Sequence, residues 1–184
     1  MNRLGLIFYV DTNFIGDKSP VAEALRALER DGWIALQKAD TVDTELLDAA
    51  DEARRDELLD ESAAYIESQG PMVWDHSRWD HGVWAGRDDE ERIDLVYRTL
   101  CPNSDRAAST GRGRRKMRDA MHVATAIRCD ASAFITRDER DLVSRSDAIA
   151  KKFNGFRIMT PETALAFAER MKARYDHRQE HPLP

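Results

Sequence analysis

From Leu4 to Val10 the chain reads LGLIFYV, and it then sets Asp11, Thr12 and Asn13 in a row before returning to Phe14 and Ile15. A continuous apolar run of this length, rich in β-branched and aromatic residues, is the pattern of a strand buried on both faces of a parallel sheet. Ser19-Pro20 is an N-cap followed by a first-turn proline, and Val21, Ala24, Leu25 and Leu28 then share one helical face until Asp31-Gly32. Trp33 to Leu36 reads as a second strand. From about Thr41 to Gln69 the spacing predicts one long, highly charged helix, ended by Gly70-Pro71. Residues 71–118 are irregular apart from a helix over Arg92 to Leu100. Asp119 to Arg128 predicts a helix with Val123, Ala126 and Ile127 inward, and Ala133 to Thr136 a short buried strand. A charged helix follows from about Glu139, then a strand at Phe156 to Met159 and a last helix from Thr160-Pro161 to about Tyr175.

Strands alternating with helices imply parallel pairing, since each parallel connection needs a crossover. The expected fold is a three-layer α/β domain over residues 1–176, with a mostly parallel sheet of four or five strands, an irregular insertion at 71–118 and a loose tail at 177–184. In such sheets ligands gather beyond the carboxyl ends of the strands. Asp11 stands at one of those ends.

Composition narrows the function classes. Hydrophobic residues are 42% and charged residues 34%, a globular profile. No apolar run approaches the roughly 20 residues that span a bilayer, and Cys101 and Cys129 form neither a disulfide framework nor a CxxC motif, so a cytoplasmic protein without a membrane role is expected. The net charge of −6 argues against nucleic acid, but its distribution argues the other way. GRGRRKMR, residues 111–118, holds Arg112, Arg114, Arg115, Lys116 and Arg118 without an acid.

Directly after that cluster comes Asp119. Asp138 follows the strand ending at Thr136, and Glu45 lies near the start of the long helix. Each acid alone has a structural reading as a cap or a helix-dipole partner. Four that meet at one edge of the sheet are harder to dismiss, because two carboxylates about 4 Å apart repel by roughly 4 kcal/mol at an effective dielectric near 20. Such a cluster requires shared protons or a cation, and hard divalent ions such as Mg²⁺ and Mn²⁺ take oxygen ligands and substrate phosphates. Paired ions of this kind activate water and steady the leaving oxygen in phosphodiester cleavage.

YVDTNFI, TVDTELLDAA, RDAMHVATAI and FITRDERDL resemble, in that order, the four acidic motifs of PIN-domain nucleases, most of all the VapC-type toxins of bacterial toxin-antitoxin pairs. The resemblance spans about residues 4–70 and 117–170. It implies a PIN-like fold in which Asp11, Glu45, Asp119 and Asp138 hold Mg²⁺ or Mn²⁺, Asp141 is a further acid, and Asn13 and Thr136 orient the carboxylates. It implies a metal-dependent endoribonuclease, often a homodimer and often silenced by a small antitoxin protein. The chain departs from the family pattern in its longer 71–118 segment and in Arg137, where an Asn is frequent.

Two further segments carry expectations. The basic cluster reads as a glycine-loosened loop forming an electrostatic funnel for RNA. WDHSRWDHGVWAG, with Trp74, Trp79 and Trp84 and the pairs Asp75-His76 and Asp80-His81, reads as a loop whose tryptophans pack or stack on bases, with a zinc site as a remote alternative. His122, three residues after Asp119, reads as hydrogen-bonded core packing ahead of a base or ligand. Two other functions stand beside the nuclease: a non-catalytic RNA- or partner-binding module, and a phosphatase using Asp11 as nucleophile. The phosphatase is disfavoured because Asn13 stands where a second Asp is needed.

Overall fold

The structure, a computed structural model, describes residues 2–74, 76, 77, 82–104 and 111–181. Five strands form one all-parallel sheet: β1 (Leu6–Val10), β2 (Ile34–Ala39), β3 (Ile66–Ser68), β4 (Ala133–Ile135) and β5 (Arg157–Met159), in the order β3-β2-β1-β4-β5. The apolar run thus lies in the centre of the sheet, where both neighbours and both faces bury it. Eight helices are present among the described residues: α1 (Thr12–Ile15), α2 (Pro20–Arg30), α3 (Asp40–Leu47), α4 (Glu52–Ser62), α5 (Arg87–Leu100), α6 (Arg112–Arg128), α7 (Ser146–Lys152) and α8 (Pro161–Glu180).

The three layers follow from the two-residue period of the strands. Leu6, Phe8 and Val10 of β1, with Ala133 and Ile135 of β4, join Phe14, Leu25, Val42, Leu46, Ala164 and Ala168 of α1, α2, α3 and α8 in one core. Tyr9 and Phe134 point the other way, into a second core with Val96 and Tyr97 of α5, Met121 and Val123 of α6 and Ile149 of α7. The expected three-layer α/β architecture is therefore the one observed.

Several element boundaries differ from the sequence reading. Residues 41–69 are two helices and a strand. Asp48 caps the end of α3, Asp51 accepts a hydrogen bond from the Arg54 amide to start α4, and the chain then pairs as β3 with Gln37, Lys38 and Ala39 of β2. Edge strand β3 carries no apolar run, and Ile66 is largely exposed, so only the pairing with β2 makes it a strand. Lys38, 3% exposed, supports this corner by donating to Asp43 Oδ1 at 2.6 Å and to Ser62 Oγ at 2.8 Å.

The basic cluster is not a loop. Helix α6 begins at Arg112, because Arg, Lys and Met are good helix formers and outweigh the cost of about 1 kcal/mol for Gly113. Only Gly111, at φ +54°, lies in the left-handed region, immediately before the helix. Asp119 consequently sits in mid-helix instead of opening one. The helix expected from Glu139 starts at Ser146, after a 3₁₀ turn over Val143–Arg145, since the Asp138 carbonyl accepts the Leu142 and Val143 amides and turns the chain first. Helix α8 runs on to Glu180, so the expected loose tail is helical over its first residues. Within 71–118, α5 and the first turns of α6 are regular, and α5 caps on Gly86 and Asp89 several residues before the predicted start at Arg92. No helix among the described residues is long and apolar enough to cross a membrane.

Candidate metal and phosphate site

The strand order reverses direction at β1: its chain neighbour β2 lies on one side and β4 on the other. A crevice opens at such a switch point, beyond the carboxyl ends. Asp11 and Asp138 follow the two strands that flank it, and the Asp11 amide donates to the Ile135 carbonyl at 2.9 Å. Glu45 reaches the same edge from α3 and Asp119 from α6. Asp11, Glu45, Asp119 and Asp138 all line one open pocket of about 540 Å³, together with Thr12, Asn13, Asp48, Arg114, Arg115 and Arg118.

A hydroxyl organises the acids. Thr136 is fully buried; its Oγ1 donates to Asp11 Oδ2 at 2.6 Å and accepts from Asn13 Nδ2 and from the Asp138 amide, each at 3.0 Å. That uses one donor and two lone pairs, the whole capacity of a hydroxyl. Asn13 Nδ2 also donates to Asp11 Oδ2 at 2.6 Å, and its Oδ1 is held by the Arg137 amide at 2.9 Å. The Thr12 amide donates to Asp11 Oδ1 at 2.8 Å, and the Thr12 hydroxyl donates to Glu45 Oε2. Arg137 is anchored on the outside by Asp17 and Glu162, so its side chain braces α8 against the loop before α2 and does not enter the pocket.

His122 lies directly under the acids. It is fully buried, with Nε2 3.4 Å from Glu45 Oε2, and neither ring nitrogen makes a hydrogen bond of good geometry to any described residue. The 3.4 Å contact is thus an electrostatic one. The core burial expected of His122 is present without the expected hydrogen bond, and ligand atoms of Asp11, Glu45 and His122 lie within 4.8 Å of one another, a group that could hold a metal ion.

The charges perturb one another strongly. Burial, then the Asp11 and Glu45 carboxylates, push Asp119 up to about 8. Burial also raises Asp11, against the opposing pull of His122 and the Thr136 hydrogen bond. Burial works against a charged His122, yet Glu45, Asp11 and Asp119 prevail and hold it up to about 9. Glu45 goes the other way: burial would raise it, but His122 and the Thr12 hydroxyl keep it below the usual carboxylate range. A protonated Asp119 and an imidazolium are how a cluster of acids balances itself without a cation.

The structure does not bring every expected residue into this pocket. The Asp141 side chain is largely exposed and lines a separate small cavity with Cys101, Lys116 and Arg145; Asp141 contributes only its amide, which donates to Asp138 Oδ1 at 2.8 Å. The basic cluster divides by helical angle. Arg114, Arg115 and Arg118 face the pocket, whereas Lys116 turns away to donate to Ser104 Oγ at 2.6 Å and Arg112 is exposed without lining it. Trp74 and Trp84 are largely exposed in the single chain. Trp79 and the residues Asp75, Asp80 and His81 lie outside the described residues, and with them the proposed zinc pairs.

Sequence reasoning did not single out Thr12 or Asp48 and ranked His122 low. Their signal was spacing: Asp48 is three residues after Glu45 and His122 three after Asp119, each on the face of the acid it follows. A scan against protein-family models and a search of curated proteins found no match to this chain. Fold and site together define an α/β protein with an acid-lined, arginine-rimmed pocket at the carboxyl edge of a parallel sheet.

Proposed function

We propose that this chain is a divalent-metal-dependent endoribonuclease with the resemblance to PIN-domain nucleases set out above, acting as the toxin of a toxin-antitoxin pair. One observation carries the reading: the four motif acids, from four separate elements, share one pocket with Asp48 and three arginines. Acids and cations in one open pocket suit a substrate that is itself a polyanion bound through metal.

The fit to a metal rests on the donor set. Asp11, Glu45, Asp119 and Asp138 supply hard oxygens, which favour Mg²⁺ or Mn²⁺, and the orphaned imidazole of His122 adds a nitrogen beside them. When bound, such an ion supplies Lewis acidity toward phosphoryl oxygens and a lowered pKa for water. The chain's own residues do the rest. Thr136 and Asn13 fix the Asp11 carboxylate, Thr12 fixes Glu45, and Arg114 and Arg115 receive the strand's phosphates at the rim.

The test is hydrolysis of single-stranded and structured RNA in Mg²⁺ or Mn²⁺ by the wild type, Asp11→Asn and Asp119→Asn. Cleavage by the wild type that both variants lose is the expected result. Retained cleavage in both variants, or none by the wild type with either ion, overturns the proposal. The toxin assignment has its own check: a short adjoining gene whose product reverses growth arrest caused by this chain.

A further inference from the structure

Arg118 is the deepest cation of the pocket and the most confined. It stands on α6 between Arg114 and His122 at four-residue steps, so the three share one helical face, and it is only 8% exposed. Its Nη2 donates to Asp48 Oδ2 at 2.6 Å, while its Nε is buried with no hydrogen-bond partner among the described residues. A guanidinium presents donors as a planar fork that suits two oxygens of one carboxylate or phosphate. Asp48 therefore leaves the fork incompletely filled. Asp48 itself ends α3, and its side chain is 53% exposed, so water receives it readily if it lets go. Both residues line the pocket of the four acids.

We propose that Arg118 is a phosphate ligand of this pocket and that Asp48 occupies it as a built-in substitute, exchanged for a backbone phosphate when a nucleic-acid strand enters. Two facts favour exchange over a permanent brace. The Asp48 side of the pair is half open to solvent, so its carboxylate passes to water on release, while the buried guanidinium requires a replacement anion. The Asp48 contact leaves Nε without a partner, and a phosphate that presents two oxygens to the fork supplies one. Asp48 is in this sense a positioning residue that competes with substrate.

The inference rests on the nucleic-acid reading of the pocket, and counterion bookkeeping separates it from a purely structural role. When Arg118 leaves Asp48 for a phosphate, the phosphate sheds a condensed cation, whereas a lone carboxylate such as Asp48 condenses none, so the contact contributes about 0.7 to the slope of log K against log salt, the value for one single-strand phosphate. Arg118→Gln should flatten the slope by that amount, and Asp48→Asn should leave it unchanged.

The experiment is fluorescence anisotropy of the 184-residue chain with a labelled, mixed-sequence single-stranded oligoribonucleotide, in Ca²⁺ and separately in EDTA, over a salt series. Asp48→Asn should bind about fivefold more tightly than wild type, as expected for release from an ion pair with one exposed member, at an unchanged slope. Arg118→Gln should bind more weakly with a slope flatter by about 0.7, and Asp48→Asn should tighten binding less in the Arg118→Gln background than in the wild type. Asp48→Ser repeats the comparison if the Asn variant does not fold, as judged by circular dichroism. Weaker or unchanged binding by the Asp48 variants, an unchanged slope for Arg118→Gln, or a tightening by Asp48→Asn that is as large without Arg118 as with it overturns the exchange. RNA cleavage by the wild type is read separately, so loss of this inference leaves the nuclease proposal standing, and absence of cleavage leaves the binding comparison intact.

Discussion

Thr136 Oγ1 stands 2.6 Å from Asp11 Oδ2, a bond between residues that follow adjacent parallel strands, and it fixes the geometry of the whole pocket. The same hydroxyl accepts from Asn13 and from the Asp138 amide, so three pocket residues share one oxygen. Thr136→Val keeps the shape and removes all three bonds. It should cost about 1–3 kcal/mol in denaturant unfolding, the range for stranding a buried polar group, and should lower metal affinity more than an exposed Thr→Val control does. Unchanged affinity would mean that Asp11 needs no such support.

Metal binding should depend on pH through Asp119. Ligands bind metal deprotonated, and Asp119 keeps its proton up to about 8. Mn²⁺ affinity measured by calorimetry should therefore fall as pH drops from 8 to 6, by up to about tenfold per unit for one coupled proton. Asp119→Asn should weaken binding and flatten that dependence. Heats measured in buffers of different ionisation enthalpy should report the released proton.

Stability of the metal-free chain should decline in the same region. The folded state holds protons on Asp119 to about 8 and on His122 to about 9, above the values of the unfolded chain. Both groups are raised, so their contribution is complete at low pH and is lost as pH rises through the folded values. Denaturant melts in EDTA should show lower stability at pH 9.5 than at pH 7, with Mn²⁺ offsetting the loss. A flat profile from pH 7 to 9.5 would rule out the clustered charges.

Arg114 and Arg115 line the rim and are exposed. Changing each to Gln should weaken oligoribonucleotide binding and flatten the salt slope by about 0.7 per lost phosphate contact. In hydrolysis the expected loss falls on KM. Arg112→Gln, whose side chain does not line the pocket, should do less, and equal effects at all three positions would point to bulk charge in place of a defined track.

Lys38→Met tests the far corner of the sheet. It leaves Asp43 without its buried cation and unlinks β2 from the α3–α4 corner. The expected loss is about 2 kcal/mol, below the 3–5 of a fully buried pair because Asp43 is partly exposed. Thermal melts at one metal concentration would measure it.

What was legible along the chain was burial. LGLIFYV announces a central parallel strand, and Ser19-Pro20 and Thr160-Pro161 announce helix starts, because apolar periodicity and capping record the environment of a residue within one or two turns. Hidden was everything that depends on a distant neighbour. Strand β3 exists through its pairing with β2, and a run containing Glu67 and Ser68 carries no local mark of it. Asp141 matched an acidic motif, yet the turn after β4 sends its side chain out to solvent.

By itself the sequence determined an alternating α/β chain with an acid after its central strand and cations before a later acid. Only the tertiary structure decided that Asp11, Glu45, Asp119 and Asp138 face one pocket, that His122 lies beneath them and that Arg118 is already held by Asp48. The reason is range. Patterning is written over a few residues, whereas charges couple through space, and the distances between them are set by which crossovers bring which strand ends together.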